Sequence, residues 1–296
     1  HWYRLIPWRW MLRIGTSTYS LSKAIQAGTF DVLGAFAWIA ENGGEHVEIV
    51  PREPLSPDAA DAMAVKAKET GIAISCYTFG ASFIDRTPEE FRAELRRVQQ
   101  MVEMAARLGT QHIRHDVAFR PVGQNDDAQF ERDLPFLVEA CGEIADAAAR
   151  HGITSMIENH GMHVQGADRV LRVFHAVGRA NFRLLVDTGN FFAVEFEQTQ
   201  DAIRRCAPFA AMVHVKDHFI RATPPDEPEG WRDRGRGIFT RVAIAGEGDI
   251  GIAEALASLR AAGYDGDLSL EYEGPEDALC ANKKGMENLR RFLGQA

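Results

Sequence analysis

The chain alternates eight times between a short apolar run and a longer amphipathic stretch, and this alternation limits its fold more than any other feature. The apolar runs, each typical of a β-strand, are LRIGTST, HVEIV, GIAISCY, QHIRHD, ITSMIEN, FRLLVD, AMVHVKD and DLSLEYE. Helices are predicted near residues 31–42, 57–70, 88–108, 127–151, 167–178, 199–206, 250–262 and 276–293. Strands separated by helices pair in parallel, because each connection crosses back over the sheet.

This alternation predicts an α/β fold, a single (β/α)8 TIM barrel that occupies residues 11–296. A doubly wound open sheet shares the same alternation and is the alternative. No GxGxxG motif follows the first predicted strand, so a dinucleotide-binding sheet has little support.

Two segments fall outside the alternation. Residues 1–10, HWYRLIPWRW, are too short and too broken for a signal peptide, and we interpret them as an expression remnant or an upstream extension. Residues 219–249 form a long connection after the seventh predicted strand. Loops that follow the strands of a barrel line its active-site face, so we expect a lid in which Trp231 and Arg232 close on a polar substrate. A solvated insertion is the alternative.

Charge and cysteine content narrow the classes of partner. The net charge of -9 argues against a general nucleic-acid binder, which usually carries a basic face. No run approaches the roughly 18 apolar residues that a membrane span needs. The four cysteines are scattered without CxxC spacing, which favours free thiols in a reducing, cytoplasmic compartment.

Four of the later strands end in side chains that can bind a metal. They are Glu158, Asp187, His214 and Glu271. Side chains alternate along a strand, so each shares its face with the residue two positions before it. If that face is the barrel interior, all four converge at the C-terminal rim. An oxygen-rich set with one imidazole suits Mn2+, Mg2+ or Co2+, and Zn2+ or iron stays open.

Each of these residues also has a structural interpretation. An aspartate at a strand end often caps a turn, and a histidine on an apolar strand is often packed and hydrogen-bonded. Glu158 and Glu271 are harder to explain in this way. A carboxylate buried inside a barrel without a partner costs several kcal/mol, so both require cations or protons. A shared metal ion removes that cost for both.

The motifs VEIV, IENHG, VDTGN, HVKDH, AGEGDIG and LSLEYEG, in this order, resemble the xylose isomerase-like barrels over nearly the whole chain from Met11. That group includes ketose 3-epimerases, sugar isomerases, inosose and dehydroshikimate dehydratases, and an apurinic endonuclease branch. The resemblance implies metal ligands at Glu158, Asp187, His214 and Glu271. It also implies that Glu158 and Glu271 exchange protons with a substrate carbon from opposite sides.

The resemblance extends to substrate contacts. Lys216 and His160 lie two residues beyond a metal ligand and would reach substrate oxygens. Glu48 ends the second strand, where it faces the pocket or forms a salt bridge on the rim. His115 and Asp116 end the fourth strand, and alternation lets only one of them point inward. We favour His115 as the substrate contact.

Two positions qualify this assignment. Asn190 stands where ketose epimerases usually carry a histidine, three residues after the aspartate, and we expect it to contact substrate instead. Glu273 has the same parity as Glu271 and could replace it as a ligand.

The hypothesis from these residues is a sugar isomerase or epimerase that depends on one divalent ion, Mn2+ foremost. Such an ion chelates a sugar carbonyl and stabilises the enediolate formed when a carboxylate removes the adjacent proton. A lyase or dehydratase on a keto-sugar or keto-cyclitol is the alternative, favoured by Asn190 and Lys216. An apurinic endonuclease and a non-catalytic sugar-binding barrel have less support. We expect a small sugar or cyclitol as the partner and a homo-oligomer, with a hetero-oligomer left open.

Overall fold

In the computed structural model, which describes residues 12–295, eight parallel strands close into a barrel. These strands are β1 (Arg13–Ser17), β2 (His46–Ile49), β3 (Ala73–Phe79), β4 (His112–His115), β5 (Thr154–Glu158), β6 (Phe182–Asp187), β7 (Ala210–Val215) and, after a small separate sheet, β11 (Asp267–Leu270). Because β1 pairs with both β2 and β11, the sheet has no open edge, and the predicted barrel is confirmed over the open sheet. The interpretation of residues 1–10 lies outside the described residues.

Helices occupy the connections. They are α1 (Ser22–Gln26), α2 (Val32–Glu41), α3 (Pro57–Thr70), α4 (Pro88–Leu108), α5 (Asp127–Ala149), α6 (Ala167–Val177), α7 (Phe192–Glu195), α8 (Thr199–Cys206), α9 (Ile252–Ala261) and α10 (Ala278–Leu293). Two 3-10 turns, Phe196–Gln198 and Ala207–Phe209, flank α8. The predicted helices are all present, and the short α1 and α7 are additions that the pattern did not reveal.

Local sequence sets where the longer helices begin and end. Thr87 and Glu90 form a reciprocal capping box at the start of α4, and the Asp126 side chain accepts from the Gln129 amide at the start of α5. At the ends of α3 and α4, Gly71 and Gly109 adopt the left-handed conformation that turns the chain towards the next strand. These stops keep each helix at the length that returns the chain to the base of the barrel.

The barrel interior holds an apolar layer below the mouth. Cys76, Met156, Leu185 and Met212 form this layer and are almost entirely buried. Three of them lie two residues before a predicted metal ligand, on the same strand face. The apolar layer therefore forms the floor on which the polar strand ends stand.

The segment predicted as an irregular lid or insertion is an ordered three-stranded antiparallel sheet. It consists of β8 (Asp217–Arg221), β9 (Trp231–Asp233) and β10 (Phe239–Ala243), with β10 in the centre. This small sheet starts two residues after β7 ends, so it stands at the mouth of the barrel.

The four cysteines are free thiols, three of them buried. Between residues 12 and 295, no helix has the length and apolar character needed to cross a membrane.

Candidate metal centre

Four neighbouring strand ends bring the predicted ligands together. Glu158 and Asp187 end β5 and β6, His214 is the penultimate residue of β7, and Glu271 directly follows β11. The Glu271 amide donates to the Val215 carbonyl at 3.2 Å, which holds this residue in line with β7. One potential ligand atom from each of the four residues lies within 4.8 Å of all the others.

Asp187 is positioned by the residues around it. The side chain of Asn159 donates to the Asp187 carbonyl at 2.9 Å and accepts from its amide at 2.8 Å, which fixes the end of β6 against β5. Asp187 Oδ1 accepts from the amides of Gly189 and Asn190 at 2.8 and 2.7 Å. Oδ2, which is buried, has no hydrogen-bond partner in the described structure. The aspartate thus uses one oxygen for the turn and presents the other to the cluster.

His214 is oriented by Glu48. Nε2 of His214 lies 3.0 and 2.9 Å from the two oxygens of Glu48, whose carboxylate also accepts from the hydroxyls of Thr78 and Ser269. Glu48 is fully buried behind the imidazole and does not line the pocket. This placement corrects the expectation that Glu48 contacts substrate: it holds the ring so that Nδ1 faces the cluster.

Nδ1 of His214 is itself buried and has no hydrogen-bond partner among the described residues. It lies 3.5 Å from Glu158 Oε2, 3.9 Å from Asp187 Oδ2 and 3.7 Å from Glu271 Oε2. Buried polar atoms without partners are costly, roughly 1–3 kcal/mol each. Because these unpaired atoms face one another across a short gap, the donor set fits a divalent cation.

The electrostatics of the cluster support the same fit. Burial raises the pKa of Asp187 well above its usual value, and the carboxylates of Glu271 and Glu158 add to this against the opposing effect of Lys216. Burial alone would lower the pKa of His214, but the surrounding carboxylates raise it well above its usual value. A buried carboxylate with neighbours of the same charge, as Asp187 has in Glu158 and Glu271, favours its protonated form unless a cation is present.

Arg114, a residue that sequence reasoning missed, is buried beside the cluster. Its guanidinium lies 2.7 Å from Glu158 Oε2 and 2.9 Å from Asp116 Oδ1. Asp116 Oδ1 in turn lies 2.8 Å from His160 Nδ1. A continuous charged chain therefore runs along the rim from His160 to Glu158. Side-chain alternation places Arg114 and Asp116 on the same face of β4 and the residue that follows it. A prediction that Asp116 points inward would therefore have identified Arg114 as well.

The structure also corrects the choice of His115. Its ring lies on the outer face of β4, where Nε2 is 3.1 Å from the Ser155 hydroxyl and the ring stacks near Phe79. His115 is fully buried, and burial is the main cause that lowers its pKa to about 4. Asp116 lines the pocket and His115 does not.

Asn190 and Lys216 connect the two glutamates. The Asn190 amide donates to Glu158 Oε1 at 2.9 Å, and its oxygen accepts from Lys216 Nζ at 3.3 Å. Lys216 Nζ also lies 2.7 Å from Glu271 Oε2, an ion pair without hydrogen-bond geometry. Glu273 lies 3.7 Å from the same ammonium and accepts from the Tyr19 hydroxyl at 2.6 Å. Since Glu273 stands outside the four-residue cluster, the geometry favours Glu271 as the ligand.

A cavity of about 440 Å³ opens above the cluster. The predicted substrate-contact residues that line it are His160, Asn190, Lys216 and Arg232. Trp231 is not among its lining residues. It borders a neighbouring cleft, with the Arg221 guanidinium 5.8 Å from its ring centre. The expectation that Trp231 closes on the substrate is therefore corrected in favour of the adjacent Arg232.

A closed parallel barrel with carboxylates and an imidazole gathered at its mouth defines a TIM barrel with a candidate metal site. Residues 36–294 match the model of the xylose isomerase-like TIM barrel, and the chain belongs to this family. No curated protein matches the chain.

Several solved structures share the fold. A 3-keto-D-glucoside 4-epimerase from E. coli, YcjR, aligns with a TM-score of 0.71 and 18% identity over 95% of this chain and 100% of its own. The probable 3-DHS dehydratase AsbF from Bacillus anthracis gives a TM-score of 0.70 and 18% identity over 94% and 98% of the two chains. The IolI protein with a zinc atom aligns with a TM-score of 0.75 and 16% identity over 96% of this chain and 99% of its own.

Proposed function

We propose that this protein is a divalent-metal-dependent enzyme that removes a proton beside the carbonyl of a small sugar or cyclitol and so isomerises or epimerises it. The observation that carries the proposal is the convergence of four ligand atoms beneath an open cavity, with Asp187 Oδ2, His214 Nδ1 and Glu271 Oε2 buried without a hydrogen-bond partner in the described structure. The similarity to the fold of the E. coli epimerase supports it.

The metal would be held by Glu158, Asp187, His214 and Glu271, and when bound it would supply a Lewis acid that polarises the substrate carbonyl. We place Mn2+ first because three carboxylates form a mostly hard ligand set, with Mg2+, Co2+ and Zn2+ as alternatives. The zinc atom of the IolI structure supports Zn2+ among these.

The two glutamates serve as proton acceptors. Burial raises the pKa of Glu158, but Arg114 and His214 outweigh it and lower the pKa below its usual value. Lys216 has the main opposing effect on Glu271, whose pKa falls well below its usual value despite burial. These directions favour the ionised form of both glutamates, which is the form that accepts a proton.

The positions of the two glutamates allow either epimerisation or isomerisation. β6 and β7 lie between β5 and β11, so the glutamates approach the cavity from different sides. Removal of the proton gives an enediolate. Delivery of a proton to the same carbon by the opposite glutamate, once that group has itself taken up a proton, epimerises the sugar. Return of the abstracted proton to the adjacent carbon isomerises it. Lys216, 2.7 Å from Glu271, stabilises the ionised form of that glutamate and so its ability to accept the proton.

The remaining lining residues suit a polyhydroxylated substrate. His160, Asn190, Lys216 and Arg232 present donors towards the cavity, and about 440 Å³ accommodates one small ligand. A homo-oligomeric state and a cytoplasmic location stay predictions.

A lyase or dehydratase is the second candidate. The Lys216 ammonium, buried at the cavity wall, is placed to protonate a leaving hydroxyl after the same proton removal. Asn190, in place of a histidine, and the similarity to the Bacillus anthracis structure favour this outcome.

The test is to incubate the Mn2+-loaded protein with ketoses and keto-cyclitols in deuterated water and to follow the products by NMR. Deuterium exchange with an unchanged formula supports isomerisation or epimerisation, and loss of water supports the lyase. Glu158→Gln should abolish exchange. Glu254→Gln, at an exposed position on α9, is the matched control and should not. Full activity of Glu158→Gln would remove Glu158 from the proposed mechanism.

A further inference from the structure

Two arginines of the small sheet face the cavity without a counter-charge of their own. Arg232 lies in β9 opposite Thr240 of β10, and Arg234 follows two residues later. The Nε of Arg234 donates to the Thr240 hydroxyl at 2.8 Å, which fixes its guanidinium at the cavity wall. Within residues 12–295 neither guanidinium forms an ion pair, whereas the buried Arg114 forms two.

The same wall carries a buried, unpaired histidine. His218 lines the cavity, is 4% exposed, and its Nδ1 has no hydrogen-bond partner within the described part of the chain. Burial lowers its pKa to about 3, and the charges of Lys216, Arg234 and Arg232 contribute to this. Burial also lowers the pKa of Arg234, and the like charge of Arg232 adds to the effect. This side of the cavity therefore has a positive potential.

Glu273 is the acidic side chain that opposes this potential at Arg234. It is already engaged, because it accepts from Tyr19 at 2.6 Å and lies 3.7 Å from Lys216. Both arginines line the same cavity, and in the described structure the one side-chain hydrogen bond that either donates is from Arg234 Nε to Thr240, so the other guanidinium donors are free.

We infer that Arg232 and Arg234 bind an anionic group of the substrate, a carboxylate or a phosphate, while the metal cluster receives its carbonyl end. An arginine fork matches the planar geometry of a carboxylate and the oxygens of a phosphate, and a neutral hydroxyl gains less from it. The inference rests on the proposed function only in calling the ligand a substrate. It changes the substrate class from neutral sugars to sugar acids or sugar phosphates.

The experiment compares neutral sugars with charged derivatives of the same sugars. The Mn2+-loaded protein is titrated calorimetrically with D-fructose and D-fructose 6-phosphate, and with D-glucose and D-glucuronate. A charge-assisted hydrogen bond implies that the charged member of at least one pair binds about tenfold or more tightly than the neutral one. The pair that shows the preference identifies the anion as phosphate or carboxylate.

Arginine variants show where the preference arises. Arg232→Met and Arg234→Met should each remove most of it. Arg236→Met is the matched control, because Arg236 belongs to the same segment, stacks 4.6 Å from the Phe196 ring centre and does not line the cavity. Equal affinity within both pairs, no binding of either charged ligand, or the same loss in all three variants would overturn the inference.

Binding and turnover separate this inference from the proposed function. Arginine-dependent binding of a charged ligand without deuterium exchange in any substrate would refute the proposed function and leave the anion site standing. Exchange in neutral ketoses with no preference for charge would refute the anion site and leave the proposed function standing.

Discussion

Replacing Glu48 with glutamine tests how the candidate metal centre is built. Three donors converge on this buried carboxylate: His214 Nε2 and the hydroxyls of Thr78 and Ser269. Glu48→Gln keeps the shape but turns one acceptor oxygen into an NH2 group and removes the charge. The hydrogen bond of the histidine then changes from a charge-assisted one, worth about 1.5–3 kcal/mol, to a neutral one, worth roughly 1 kcal/mol.

The expected result is a loss of metal affinity. Residues that orient a metal-binding histidine typically contribute about 10–100-fold to affinity, which corresponds to about 1.4–2.8 kcal/mol. The assay is titration of metal-free protein with Mn2+, read as the free ion by electron paramagnetic resonance. Circular dichroism of the same samples shows whether the variant is folded.

Two further variants make the result decisive. Glu254→Gln, the exposed control, should bind Mn2+ like the unmodified protein. Ser269→Ala removes one donor to Glu48 and leaves the charge, so it should weaken binding only by about threefold or less. Folded Glu48→Gln protein with unchanged Mn2+ affinity would refute the orienting role of Glu48.

Three other predictions address the surroundings of the site. Mn2+ affinity should fall as the pH is lowered, because the raised pKa values of Asp187 and His214 let protons compete with the ion; a flat profile would contradict this. Arg114→Met leaves buried carboxylates unpaired and should lower the free energy of unfolding by about 3 kcal/mol in urea titrations, and a loss under about 1 kcal/mol would argue against the pairing with Glu158. His115→Gln should leave the KM of an exchanged substrate unchanged, because the ring lies outside the pocket, and a rise of about tenfold or more would restore it as a contact.

The barrel and the convergence of the four ligand residues were predictable because the inner face of the late strands is recognisable in the sequence. Met156, Leu185 and Met212 are apolar, and the polar residue two positions later lies on the same face at the mouth. The fourth strand lacks this pattern of one apolar and one polar inward residue. In HIRHD both faces of the strand carry polar residues, so alternation alone could not choose between His115 and Asp116 as the inward residue. Arg114 lies on the same face as Asp116 and was missed together with it.

Depth and long-range pairing were not predictable. The parity of Glu48 is inward, but only the position of His214, on a strand far along the sequence, places its carboxylate behind the imidazole. In the segment 219–249, the pairing of β9 with β10 determines that Arg232 lines the cavity and Trp231 does not. Such antiparallel pairing depends on contacts that no local pattern reports.

The central claim is that one divalent ion binds at the mouth of this barrel, and anomalous diffraction from crystals grown with Mn2+ tests it most directly. We expect a single anomalous peak among Glu158, Asp187, His214 and Glu271, with His214 coordinating through Nδ1. A peak at another site, or no peak between these four side chains, would contradict it.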